Sequence, residues 1–327
     1  MLTFAKVTRR GVISIGECMV ELARGGDGRF GLGYGGDTFN TAIYLARAGV
    51  GVAYATLLGD DPYSQGVLDL ARAENVATDL IGIVPGRNAG LYMIETSMAG
   101  ERIFHYWRDR APARELFCGE SAFAVASAMN DARLIYLSGI TLSLYDAHAL
   151  DALEAALRAA KICGARVAID GNFRPRGWGA DDAGRDRARQ TFERFFRLAD
   201  LALPTFDDEQ ALWGDATIEA TVTRLQSWGI AEIAVKRGRD GALIASDGVV
   251  KTVPVVAEVK AIDTTAAGDS FNAAYLAARL RGSAPDSAAR EGHVLAGAKI
   301  AHRGAIMPRA AMPAELRYDQ PSPRGVP

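Results

Sequence analysis

Short apolar runs alternate with stretches of helical period along most of the chain. Val12–Gly16 is an apolar run bounded by glycines, which predicts a buried strand. A glycine-rich loop from Gly25 to Gly36 follows, and then a helix. Asp37 or Thr38 caps it, Phe39, Ala42, Ile43 and Ala46 form its apolar stripe, and Gly49 ends it. Val52–Leu58 reads as the next strand and Ser64–Glu74 as the next helix. The rhythm returns at Leu134–Leu137, Val167–Asp170, Leu201–Pro204 and Ile233–Lys236, each run preceding a helical stretch. This alternation predicts an α/β fold with a mainly parallel sheet and helices on both faces.

One stretch breaks the rhythm. Gly90–Thr96 and Arg102–Arg108 are β-rich runs joined by five residues that include Gly100, the pattern of an antiparallel hairpin. Its aromatic residues exceed what one buried face needs. Tyr92, Tyr106, Trp107 and Arg108 therefore suggest a flap that closes over a small polar ligand and excludes water; the alternative is a hairpin packed as structure only. The last helix is expected to finish near Gly304, followed by a proline-rich ending. The expected organisation is one core domain over 1–313, a lid inserted at about 88–110, and an extended tail over 314–327.

Composition narrows the function. A hydrophobic share of 49% and a charged share of 23% over 327 residues suit a globular protein with a large core. With 37 basic against 39 acidic residues, the chain lacks the bulk positive charge of a general nucleic-acid binder. No run approaches the ~18 apolar residues of a spanning helix. The N-terminal stretch lacks the uncharged core of an export signal, because Glu17 and Glu21 interrupt it. Cys18, Cys118 and Cys163 are far apart, with no CxxC pair. The expectation is a cytoplasmic protein with small-molecule partners, no membrane and no nucleic acid. The edge hairpin also allows a homo-oligomer.

A literal GxGxxG occurs at Gly31, Gly33 and Gly36, yet the preceding strand lies over ten residues upstream, so the context of a dinucleotide site is missing. No Gly-Lys dipeptide occurs, which excludes a P-loop. The informative string is Asp263-Thr264-Thr265-Ala266-Ala267-Gly268-Asp269-Ser270-Phe271. It follows the strand-like run Val255–Ile262 and opens a helix whose first turn is lined by small residues. Uncovered amides at such a terminus suit an anion, here a transferring phosphoryl group. Asp269 beside that anion would repel it unless it accepts a hydroxyl proton as a base; its plain alternative is a first-turn acid. Lys236-Arg237-Gly238-Arg239-Asp240-Gly241 follows a strand end and reads as a nucleotide-phosphate loop, or else as a basic hairpin turn. Arg174, after another strand end, and Arg108 on the aromatic hairpin together suggest an acidic acceptor.

These strings resemble the PfkB (ribokinase-like) sugar kinases over nearly the full length. The N-terminal signature of that family is similar to Gly35-Gly36-Asp37-Thr38-Phe39-Asn40-Thr41-Ala42, and its C-terminal signature to Asp263–Asp269. Further blocks, among them Tyr106-Trp107-Arg108 and Asn172-Phe173-Arg174-Pro175-Arg176, resemble its members that act on keto-deoxy sugar acids. The resemblance implies a three-layer αβα ribokinase-like fold with a small β-hairpin lid. It implies ATP-dependent phosphorylation of the C6 hydroxyl of a six-carbon keto-deoxy sugar acid, with Mg²⁺. Gly35, Gly36, Asp37, Thr38 and Phe39 would line the sugar site, with Tyr92 and Tyr106, Trp107 and Arg108 from the lid. Asn172, Lys236–Gly241 and Ala266, Ala267 and Gly268 would hold the nucleotide. Arg174 would meet the substrate, and Asp269 would be the base. The family's Asn-x-x-Glu is here Thr205-Phe206-Asp207-Asp208-Glu209, so Asp208 or Glu209 would reach magnesium through water. Rival readings are a kinase of a neighbouring acceptor, such as fructose or the galactonate epimer, and a non-catalytic sugar-acid sensor.

Overall fold

Strands whose two faces are both apolar need cover on both sides, and the chain supplies it with helices. A computed structural model describes residues 10–25, 27–96, 102–179 and 181–317. Its strands are β1 (Arg10–Ile15), β2 (Met19–Arg24), β3 (Phe30–Gly35), β4 (Val52–Gly59), β5 (Ile81–Val84), β6 (Leu91–Thr96), β7 (Arg102–Trp107), β8 (Ala132–Ser138), β9 (Arg166–Asp170), β10 (Leu201–Ala202), β11 (Glu232–Lys236), β12 (Ala242–Ser246) and β13 (Val249–Val253). Among the described residues, nine strands form one sheet in the order β13-β12-β11-β10-β9-β8-β1-β4-β5. Pairing is parallel from β11 to β5, and antiparallel only across β11-β12-β13.

Alternation along the strands divides the core. Ile13 and Ile15 of β1 join Ile135, Val167 and Ile169 on one face, while Val12 joins Tyr54, Leu134, Tyr136 and Ala168 on the other. The first face is covered by α3 (Glu120–Asn130), α5 (Ala147–Ile162) and α7 (Asp182–Phe196). The second is covered by α1 (Asp37–Arg47), α2 (Pro62–Ala73), α10 (Ala267–Leu280) and α11 (Pro285–Ile300). Short helices α4 (Gly139–Leu144), α6 (Pro175–Trp178), α8 (Phe206–Trp213) and α9 (Ile218–Ser227) complete the connections. The three-layer α/β expectation holds. Strand order reverses at β1, which pairs with β4 on one side and β8 on the other, and ligands of such sheets bind beyond the strand ends near that point.

Three expectations need correcting. The glycine-rich stretch before α1 is not a loop: β2 and β3 pair antiparallel from Met19↔Gly35 to Arg24↔Phe30. They join the predicted hairpin in a four-stranded sheet ordered β3-β2-β6-β7, because β2 also pairs parallel with β6. Its glycines, Gly31, Gly33 and Gly35, alternate onto one face, a strand period hidden in what reads as turn composition. Second, residues 255–262 carry no strand; the chain leaves the sheet at β13, and Val256, Val259 and Ile262 stay exposed. Third, the ending packs further than expected. Met307, Met312 and Leu316 are buried in one core cluster with α1 and α10, and Leu316 lies beyond the predicted boundary at 313, while 318–327 lie outside the described residues. Among the described residues, no helix is long and apolar enough to cross a membrane.

Candidate active site

The C-terminal ends of β9 and β11 and the N-termini of α1 and α10 meet under the four-stranded sheet, around a cavity of about 850 Å³. Gly36, Asp37, Asn40, Tyr92, Tyr106, Asp170, Asn172, Arg174, Asp208, Lys236 and residues 261–269 line it.

Ala266, the residue before α10, adopts φ +58°, a left-handed conformation costly for a residue with a Cβ. No side chain caps the helix, so the early amides, including those of Gly268 and Asp269, remain open toward the cavity. A Cβ on Gly268 would stand 3.5 Å from Lys236 Nζ, an ordinary contact, so the fold itself does not demand glycine there. Lys236 Nζ lies buried below, donating to Asp170 Oδ1 at 3.1 Å and Asn272 Oδ1 at 2.9 Å. Asn272 in turn donates to Asp170 Oδ2 at 2.7 Å, which fixes both acceptors.

Asp269 is buried and receives a hydrogen bond from Asn40 Nδ2 at 2.8 Å. Burial, then the like charge of Asp37, push its carboxyl up to about 7, against the Asn40 bond and Lys236. A carboxylate held near neutrality is suited to taking a hydroxyl proton at physiological pH. Asp37 is also raised by burial, opposed by hydrogen bonds from Ser138 and Asn172. Asn172 Nδ2 donates to Asp37 Oδ2 at 2.7 Å from a left-handed backbone at φ +40°.

The lid's inward face follows strand alternation. Tyr92 pairs with Tyr106, and Glu21 of β2 sits beside Tyr92 and accepts its hydroxyl proton. A Cβ on Gly35 would fall 2.5 Å from the Tyr92 hydroxyl, so glycine makes room for it. Burial raises Tyr106, opposed by the positive charges of Arg108, Arg174 and Arg176. Arg176 Nη1 donates to the Phe104 carbonyl at 2.7 Å and so ties β7 to the core. Arg174 Nη1 is held by Asp208 Oδ1 at 2.9 Å.

Several predicted residues lie elsewhere. Thr38 and Phe39 are fully buried on the core side of α1, because helical period brings Asp37 and Asn40, three apart, to the cavity. Trp107 alternates to the outer face of the lid and lines a second cavity with Arg108. Arg108 is ion-paired with Glu17, a buried carboxylate that needs a counter-charge, and passes 5.9 Å from the Tyr106 ring. Arg237, Gly238, Arg239, Asp240 and Gly241 form the turn of the antiparallel β11–β12 hairpin, so only Lys236 of that string reaches the cavity. Gly35 serves Tyr92 rather than lining the space. Asn40, Asp170, Arg176 and Asn272 were not singled out from sequence. Asn40 stands three residues after Asp37, so helical period would have found it.

Magnesium would require oxygen donors. Asp207 and Asp208 face the cavity, whereas Glu209 is turned beneath it to Arg224, with Oε2 2.8 Å from Nη2. Among the described residues no three His, Cys, Asp or Glu side chains cluster as a metal cage. That donor set fits an ion which keeps its waters and binds phosphates with one or two carboxylates.

A buried carboxylate near neutrality beside an uncapped helix terminus, roofed by an aromatic sheet, defines a group-transfer site for a hydroxyl acceptor and a phosphate donor. The chain belongs to the pfkB family of carbohydrate kinases, whose model matches residues 9–311. It is 43% identical over 309 residues to the 2-dehydro-3-deoxygluconokinase of Escherichia coli K12, covering 92% of this chain and 98% of that protein. The fold is similar to the crystal structure of 2-dehydro-3-deoxygluconokinase from Thermotoga maritima, with TM-score 0.81, 21% identity, and coverage of 91% and 95%. It is similar too to a putative ribokinase II from E. coli solved in complex with ATP and Mg²⁺, with TM-score 0.80, 23% identity, and coverage of 91% and 94%.

Proposed function

We infer that the chain is a 2-dehydro-3-deoxygluconokinase, transferring the γ-phosphoryl group of ATP to the 6-hydroxyl of 2-keto-3-deoxy-D-gluconate. The observation that carries the chemistry is Asp269, buried, raised to about 7 and one residue past Gly268 at the open terminus of α10. The acid character of the acceptor rests on Arg174, whose guanidinium lines the cavity.

In this reading the sugar acid lies between Gly36, Asp37, Asn40 and the lid tyrosines. Asn40 fixes the Asp269 carboxylate, which takes the proton from the attacking hydroxyl. Arg174 and the amides at Gly268 meet charge on the transferring group, where most of the acceleration arises. Lys236 and Ala266–Gly268 serve the nucleotide. Asp208 and Asp207, which line the cavity, would hold magnesium through its waters, and the ion would supply charge neutralisation for the phosphates. The lid excludes water as a competing acceptor. A second copy of the chain is part of the proposal: Phe30, Leu32, Ile103 and Trp107 are exposed on the outer face of the lid, whose edge strands are β3 and β7. Light scattering should then show a dimer that Leu32→Glu with Trp107→Glu converts to monomer; a monomeric wild type removes that part.

The test is ADP release with Mg·ATP on 2-keto-3-deoxygluconate, its galactonate epimer, gluconate and fructose, with Asp269→Asn in parallel. Turnover on the keto-deoxy acids should fall by about 10²–10⁴-fold in the variant. Preferred turnover of fructose would overturn the acid assignment. Binding without turnover would make the chain a sensor.

A further inference from the structure

Lys299, in the last turn of α11, has no exposed surface, and neither the cavity lining nor the chemistry above uses it. Its Nζ donates to the Asp263 carbonyl at 2.9 Å and the His302 carbonyl at 3.1 Å. Asp263 opens the segment that ends in the anion cradle. Its carboxylate accepts from the Thr265 amide at 2.8 Å on one oxygen and from the Gly304 amide at 2.7 Å on the other. The Ile262 and Asp263 amides both donate to the Ile300 carbonyl, at 2.8 and 3.0 Å. The end of α11 is therefore stitched to loop 262–266, and that loop sets the left-handed Ala266 from which α10 starts.

A helix C-terminus is an awkward neighbour for such a loop. α11 is 16 residues long and presents its negative end to a segment that must receive phosphates. An ammonium donating to the carbonyls at this junction offsets that field and fixes the loop in one act. Burying a charged amine is costly, and a neutral side chain of similar length would fill the space at less expense.

We propose that Lys299 is a positioning residue for phosphoryl transfer: its buried ammonium holds loop 262–266 in the shape that presents the α10 amides to the nucleotide phosphates. The proposal rests on the kinase reading. Two variants test it, Lys299→Met, which keeps the stem and removes the charge, and Lys299→Ala, which opens space at the carbonyls. Calorimetry gives the affinity for Mg·ADP, and steady-state kinetics with the sugar acid gives kcat and both KM values. In each folded variant Mg·ADP should bind about tenfold more weakly and kcat should fall about tenfold, while KM for the sugar acid stays within about twofold. Added ammonium should restore Lys299→Ala, whereas tetramethylammonium at equal ionic strength should not. Unchanged ADP affinity, an equal rise in both KM values, or no ammonium rescue would overturn the proposal. Failure of both variants to fold would overturn it as well, since the charge would then be needed for stability alone. Wild-type protein inactive on every sugar acid and on fructose would defeat the kinase assignment, yet the ADP comparison would still decide the role of Lys299.

Discussion

Asp269 must be ionised to accept a proton, yet burial and Asp37 hold it near the middle of the working range. Activity should therefore rise with pH through that value, and kcat/KM for the sugar acid should show an acid limb near about 7. Neighbouring charges set its position. Asp37→Asn removes a like charge and should move the limb to lower pH, whereas Lys236→Met removes an opposing one and should move it higher. Both shifts are read from a kcat/KM profile between pH 5 and 9, and a limb that ignores both substitutions would show that Asp269 is not the titrating base. The sequence made Asp269 legible because a nine-residue string of small residues around a Gly-Asp has little other use. It could not make legible the pair that tunes it, since Asp37 and Lys236 approach Asp269 only through the crossing of three separate chain segments.

The lid shows which elements a sequence reveals and which it conceals. Strands β6 and β7 were legible because aromatic and β-branched residues flank a short glycine-bearing turn. Strands β2 and β3 were not, since three glycines mimic loop composition and only their period of two betrays them. The side that each lid residue faces also follows from that period, so of Tyr106-Trp107-Arg108 only Tyr106 lines the site cavity. Two substitutions probe the element's attachment. A Cβ on Gly36 would lie 2.0 Å from the Glu17 carbonyl, so Gly36→Ala should force the start of α1 away from the lid. Its effect should be a lower melting temperature together with loss of sugar-acid binding. Arg176→Ala instead removes the tether to the Phe104 carbonyl. KM for the sugar acid should rise by about tenfold with the melting temperature nearly unchanged; an unaltered KM would mean that the tether does not hold the lid in place.

At the scale of the whole molecule, the site is a standing cost to folding. An acid whose pKa is raised on folding holds more protons in the native state than in the unfolded chain between the two values. The stability it allows is complete below the unfolded pKa near 3.8 and is lost as pH climbs toward about 7 for Asp269. Glu209, pushed up to about 7 by burial against its pairing with Arg224, acts in the same sense. Asp61 and Glu154 act in the opposite sense, since hydrogen bonds hold them below their ordinary values, so their contribution disappears in acid. The groups differ in what they do. Glu209 is turned from the cavity to Arg224, a cation that Asp215 pairs as well; Asp269 can be neutralised with its shape kept, because an asparagine still accepts from Asn40. Asp269→Asn should therefore melt higher than the wild type at pH 8 and at nearly the same temperature at pH 4, while losing the transfer reaction. Scanning calorimetry at the two pH values measures this directly. Equal melting temperatures at pH 8 would mean that the carboxylate costs the fold nothing and that its environment is less burdensome than its burial indicates.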